Sequence, residues 1–148
     1  MNQNAIKLLL ADDDLDDCMI FQDALDELPI PAKLQTVHDG EQLISLVQNE
    51  NFVFPDMLFL DLNMPRKSGM ECLAEIKASE KFNTLPVVIY STSVDPLTVK
   101  MVHDLGANYY LRKPGDYEKL KTSIHEAIAL INLNKNIQPP LEKFVLKF

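Results

Sequence analysis

Five short apolar runs, each followed by a segment with helical spacing, constrain this chain more than any other feature. The runs are IKLLLA at 6–11, AKLQTV at 32–37, DMLFLD at 56–61, LPVVIY at 85–90 and NYYLRK at 108–113. The central three are nearly continuous in apolar residues, as strands covered on both faces require. The second alternates and reads as an edge. Between the runs, Leu15, Cys18, Phe21, Leu25 and Leu28 keep one face of a first helix, and Pro29 follows its end. Asp39 with Gln42, and Ser68 with Glu71, have capping-box spacing at the starts of two more. Asp95, Pro96 and Gly106 supply the N-cap, first position and stop of a fourth. Tyr117, Leu120, Ile124, Ile128 and Ile131 mark a fifth after Asp116. Strand and helix alternating five times imply parallel strands joined by right-handed helical crossovers, an open α/β sandwich.

Composition removes several function classes. The 148 residues match one domain, and 47% apolar content can bury a core without staples. A net charge of −8 argues against direct nucleic-acid binding and against an anionic membrane surface. Cys18 and Cys72 stand far apart and outside any CxxC pattern, which reads as reduced thiols in an intracellular protein. The start MNQNAIKLLLADDD has too short an apolar run for a signal peptide, and no stretch is long enough for a membrane span. The expected location is the cytoplasm.

In open parallel sheets the functional crevice lies at the carboxyl ends of the strands. The first run ends in Asp12, Asp13 and Asp14, the third in Asp61, the fourth in Ser91 and Thr92, and the fifth in Lys113 and Pro114. Carboxylates, a hydroxyl and one ammonium group therefore meet at one edge. Two carboxylates about 5 Å apart repel by roughly 3 kcal/mol at an effective dielectric near 20. Three stay ionised only if positive charge joins them. Lys113 supplies one charge, and a hard divalent ion such as Mg²⁺, which prefers oxygen ligands, supplies the rest. A metal, an amine and a hydroxyl around one carboxylate also form a site for a phosphoryl group, and a carboxylate can itself become an acyl phosphate.

LLLADD, LFLDLNMP, VVIYST and YLRKP, in that order, resemble the receiver domains of two-component response regulators over about residues 5–131, and most resemble the stand-alone type. The resemblance implies a (βα)5 flavodoxin-like doubly wound fold with five parallel strands in the order 2-1-3-4-5. It implies that Asp61 is the phosphoacceptor, that Asp12 and Asp13 hold Mg²⁺ together with Asp61 and the backbone carbonyl of Asn63, and that Lys113 pairs with a phosphoryl oxygen. Ser91 takes the Ser/Thr position, Tyr110 the aromatic that moves inward with it, and Gly69 the glycine after the acceptor loop. Thr92, where a smaller residue is common, and Gly115, where a phenylalanine is frequent, depart from the usual pattern. The implied function is a phosphorylation-dependent signalling switch. A sensor histidine kinase or a histidine phosphotransfer protein loads it, and it passes the signal to a downstream protein by contact or onward phosphotransfer. Such a receiver catalyses only its own phosphorylation and dephosphorylation.

Three rivals fare worse. A haloacid-dehalogenase-like phosphatase shares a DxD spacing but needs its nucleophile on the first strand and a further acidic pair after the lysine. A degenerate receiver serving as a constitutive binding module would lack one of the acidic, hydroxyl or lysine groups. A flavin-binding protein needs a Ser/Thr/Gly-rich phosphate loop where ADDDLDD stands. The histidines His38, His103 and His125 have no metal-ligand spacing. Residues 132–148 form an extension with no effector domain. Leu141, Phe144, Val145, Leu146 and Phe148 in this tail are too apolar to stay solvated, which suggests back-packing, a docking contact or a homodimer. Removing 139–148 is expected to alter association and leave phosphorylation intact.

Overall fold

Strand β1 (Ile6–Ala11) lies in the middle of a parallel sheet, flanked by β2 (Ala32–Val37) and β3 (Met57–Leu60). The computed structural model describes residues 5–134 and 137–147. The sheet continues through β4 (Val87–Ser91) and β5 (Tyr109–Arg112) to β6 (Val145–Leu146). Its order is 2-1-3-4-5-6. The expected five strands are all present and in the expected order. The correction is the sixth, which the C-terminal tail adds in parallel to the β5 edge.

Alternation along the strands sorts the core into two layers. Leu9, Leu58, Leu60, Val87, Ile89 and Tyr110 point to one face. There they meet α2 (Gly40–Gln48), α3 (Gly69–Ala78) and α4 (Pro96–Asp104) through Leu43, Leu73 and Val102. Leu8, Leu10, Phe59, Val88 and Tyr90 point to the other. That face meets α1 (Leu15–Asp26) and α5 (Tyr117–Asn134) through Phe21, Leu25, Ile124 and Ile128. Neighbours Tyr109 and Tyr110 thus enter opposite layers. Buried strands with no polar face explain why the central runs are continuously apolar rather than alternating.

The caps show how each helix starts. Asp14 accepts from the amides of Asp16 (2.9 Å) and Asp17 (3.2 Å), so α1 begins immediately after the acidic cluster. Ser68 and Glu71 form a reciprocal capping box. At α2, Asp39 accepts from the Gln42 amide at 2.8 Å, but the Gln42 side chain bonds the amide of His38 rather than Asp39, at 2.9 Å. Leu15, placed on the apolar face of α1 by its spacing, is instead 60% exposed. Cys18 and Cys72 are free and buried, and burial pushes both thiols up to about 11, far from thiolate chemistry. Among the described residues, no helix is long and apolar enough to cross a membrane.

Candidate functional site

The switch in strand order between β1 and β3 opens the crevice, and the strands deliver the acids into it. The Asp61 amide donates to the Ala11 carbonyl at 2.9 Å and the Asp12 amide to the Val37 carbonyl at 3.0 Å. The sheet ladder therefore sets both carboxylates at one level. Asp12 is fully buried, Asp61 nearly so, and Asp13 is exposed at the mouth. One carboxylate oxygen from each lies within 4.8 Å of the others.

Lys113 joins this cluster from the end of β5, where its amide donates to the Ser91 carbonyl at 2.8 Å. Its ammonium reaches Asp12 at 2.8 Å, Asp17 at 2.9 Å and Asp61 at 3.4 Å. It also lies 5.1 Å from the centre of the Tyr90 ring, a cation–π contact. Burial pushes the Asp12 carboxyl up to about 6 against the pull of Lys113 and of the Asp14 amide. Burial opposes charge on Lys113 too, but its hydrogen bonds to Asp12 and Asp17 hold it above its ordinary value. Among the described residues, the Lys113 ammonium alone bonds Asp12, Asp17 and Asp61, with Asp13 beside them, and the charge is not balanced. Hard carboxylate oxygens at this spacing fit a divalent cation, with Asp12, Asp13 and Asp61 as the side chains that would hold it.

The acceptor loop is held in place by close backbone approach. A Cβ on Gly69 would sit 2.1 Å from the Asp61 carbonyl oxygen, and one on Gly40 would sit 1.9 Å from that of Lys67. Neither position tolerates a side chain, so the loop after Asp61 is clamped between the N-termini of α2 and α3. The Asn63 amide turns back to the Asp61 carboxylate at 3.1 Å, and the residue itself is exposed.

On the other side, Ser91, Ser93, Asn63, Met70, Thr98 and Tyr110 line a recess of about 320 Å³. The Ser91 hydroxyl accepts from the Ser93 amide at 3.4 Å, and the Tyr110 hydroxyl donates to the Ser93 carbonyl. Tyr110 is fully buried.

The residues expected at the site therefore reach this edge. Asp12, Asp13, Asp61 and Lys113 gather in the charged half, and Asn63, Ser91 and Tyr110 in the neutral half. Three contributors were missed. Asp17, one turn into α1, bonds Lys113. Tyr90 sits under Lys113, and Gly40 supports the loop. The Lys113-to-Asp17 bond spans 96 positions, so no local spacing announces it. The histidines are half-buried and away from the carboxylates, apart from His38, whose Nδ1 donates to the Asp12 backbone carbonyl at 3.1 Å.

Comparison with known proteins agrees with this geometry. A family model for the response regulator receiver domain matches residues 8–125. Response regulator Rcp1 of Synechocystis sp. is 33% identical over 117 residues, covering 76% of this chain and 80% of that protein. The crystal structure of the phosphorylated cyanobacterial phytochrome response regulator RcpA is similar at a TM-score of 0.77 and 32% identity, covering 92% of this chain and 99% of that one. The Mn²⁺-bound form of Rcp1 is similar at a TM-score of 0.76 and 30% identity, covering 91% and 99%. The chain belongs to the response regulator receiver domain family.

Proposed function

We propose that this receiver is a phosphorylation-dependent signalling switch whose acceptor is Asp61. The observation that carries the reading is the position of Asp61 between the two halves: its carboxylate lies with Lys113, Asp12 and Asp13, and it accepts from the amide of Asn63, which lines the recess that holds Ser91. The donor is a sensor histidine kinase or a histidine phosphotransfer protein. The P–N bond to the donor imidazole breaks as a P–O bond to an Asp61 oxygen forms, giving an acyl phosphate. Lys113 supplies a charge-assisted hydrogen bond to a phosphoryl oxygen, and Ser91 a neutral one. Mg²⁺, held by Asp12, Asp13, Asp61 and the Asn63 carbonyl, would neutralise charge on the phosphoryl oxygens when bound. That RcpA was crystallised phosphorylated, and Rcp1 with Mn²⁺, supports the same chemistry here.

The protein acts on itself rather than on a small-molecule substrate, and its output passes by contact with a downstream protein or by onward phosphotransfer. Leu15 and Met19 on α1, and Leu97 on α4, are each at least 60% exposed, apolar side chains available to a docking partner. The buried, reduced thiols and the acidic surface suit the cytoplasm.

Incubation with acetyl phosphate and Mg²⁺, read by intact mass, tests the reading. Wild type is expected to gain one phosphoryl group and Asp61→Asn none. Label retained by Asp61→Asn but lost on changing Asp12 would instead support a phosphatase-like nucleophile on the first strand.

A further inference from the structure

The C-terminal tail is docked on the face between α4 and β5. Just beyond α5, the Ile137 amide bonds the Asn134 carbonyl at 3.0 Å. Gln138 then donates to the carbonyls of His103 (2.6 Å) and Ala107 (2.7 Å) at the end of α4. His103 returns a bond from Nε2 to the Pro139 carbonyl at 2.9 Å. A single helical turn, α6 (Leu141–Phe144), next lays Phe144 between α4 and β5. Phe144 is fully buried, 4.9 Å from the His103 ring and 6.2 Å from the Tyr110 ring, both nearly perpendicular. Edge-to-face contacts of this kind favour aromatic pairs beyond their buried area. Val145 and Leu146 complete the docking by pairing with Tyr110 and Leu111.

Tyr110 links this tail to the acceptor site. One edge of its buried ring meets Phe144, and its hydroxyl bonds the Ser93 carbonyl, two residues past Ser91. Turning the ring out to solvent would break the Ser93 bond and strip Phe144 of a packing partner. The docked tail and the inward ring therefore stabilise each other, and any ligand that favours the inward ring also favours the docked tail.

We propose that segment 137–146 is an intramolecular ligand of the face between α4 and β5, coupled through Tyr110 and the Ser93 carbonyl to phosphoryl occupancy at Asp61. The proposal rests on the phosphoacceptor reading above. The occupant is the chain's own segment because its root is bonded to the end of α5 and of α4, a tether that places it at an effective concentration on the order of millimolar. On this account, phosphorylation tightens the tail, and the tail assists phosphorylation. Tail removal is then expected to slow phosphorylation, the opposite of the expectation drawn from the sequence.

Hydrogen exchange on the full chain tests this at two protein concentrations, with and without Mg²⁺ and beryllium fluoride. The variants are Asp61→Asn, Tyr110→Phe, Phe144→Ala and Gln138→Ala, the last loosening the tail root without touching the core. In the absence of fluoride, Tyr110→Phe should speed exchange of the 141–146 amides about five-fold or more, although the lost hydroxyl touches none of them. Phe144→Ala and Gln138→Ala should speed exchange at Ser93 and Asp95 to a similar degree. Fluoride should slow tail exchange in wild type and not in Tyr110→Phe. Effects confined to each variant's own surroundings would overturn the coupling, and tail protection that grows with protein concentration would assign the docking to a second copy instead. If fluoride leaves wild type and Asp61→Asn alike, the phosphoacceptor reading fails, while the fluoride-free cross-effects still decide whether tail and loop are coupled.

Discussion

The two halves of the crevice are built on opposite principles. At the ends of β1 and β3, charge dominates: Asp12, Asp13 and Asp61 each bring a carboxylate oxygen within 4.8 Å of the others, and Asp12 and Asp61 share one ammonium with Asp17. Around Ser91, at the end of β4, the groups are neutral, and a chain of hydrogen bonds and aromatic contacts runs from Ser91 through Ser93 and Tyr110 to Phe144. The charged half is held by the sheet ladder and has little freedom to move. The neutral half rests on a hydroxyl, a loop carbonyl and a ring, linked by hydrogen bonds and packing rather than by the sheet ladder. On the function proposed above, one half binds charge and the other reports that it has been bound.

Removing the single cation from the charged half should have the largest effect. Lys113→Met leaves Asp12 and Asp61 buried without a counter-charge, and breaking a buried pair from one side costs about 3 kcal/mol or more. In thermal denaturation this corresponds to a loss of roughly 6–12 °C in a domain of this size. Millimolar Mg²⁺ should restore more stability to the variant than to wild type, since the ion supplies the missing charge. An unchanged melting temperature would show that the charged half is less strained than its geometry implies.

A change in the neutral half should separate the two functions. Ser91→Ala should slow phosphorylation by acetyl phosphate about ten-fold or more through loss of one hydrogen-bond donor. Divalent-cation affinity, measured by titration, should stay within about two-fold, because Ser91 contributes no carboxylate. Equal losses in both measurements would merge the two halves into one.

The smallest effect lies outside both. Lys77 on α3 donates to the carbonyls of Leu85 (2.8 Å) and Asn83 (3.3 Å), and burial pulls its ammonium down to about 8. Its folded value is then below the unfolded one near 10.5, so the unfolded chain holds more protons between about pH 8 and 10.5. Stability contributed by this group therefore rises with pH through that window. Relative to Lys77→Met, wild type should gain on the order of 1 kcal/mol from pH 7.5 to 10, with the carbonyl acceptors offsetting part of the burial penalty. Parallel pH profiles for the two proteins would refute it.

The same contrast explains what was legible in the sequence. Asp12, Asp13, Asp61, Ser91 and Lys113 stand at strand ends, and a strand end fixes where a side chain emerges. Their convergence follows from the alternation of apolar runs and helices alone. The partnership of Asp17 with Lys113 depends on how α1 is rotated against the sheet, which no local spacing encodes. Leu15 was misplaced for a related reason: the Asp14 cap starts α1 at the rim of the crevice, beyond the core its periodicity pointed to. The sixth strand was missed because two residues have no period, and only packing of Phe144 on Tyr110 and His103 brings them to β5. Of the tail residues noted for apolarity, Phe144, Val145 and Leu146 are docked and Leu141 is exposed. Phe148 lies outside the described residues, as do Met1–Asn4, Lys135 and Asn136.

The most direct test of the central claim is to locate the modified atom. Borohydride reduces an aspartyl phosphate to homoserine, so treating acetyl-phosphate-labelled protein and mapping its peptides identifies the acceptor. Homoserine at position 61, formed only in the presence of a divalent cation, is the predicted result. Homoserine at position 12 or 13, or phosphate retained on a histidine, would contradict the account.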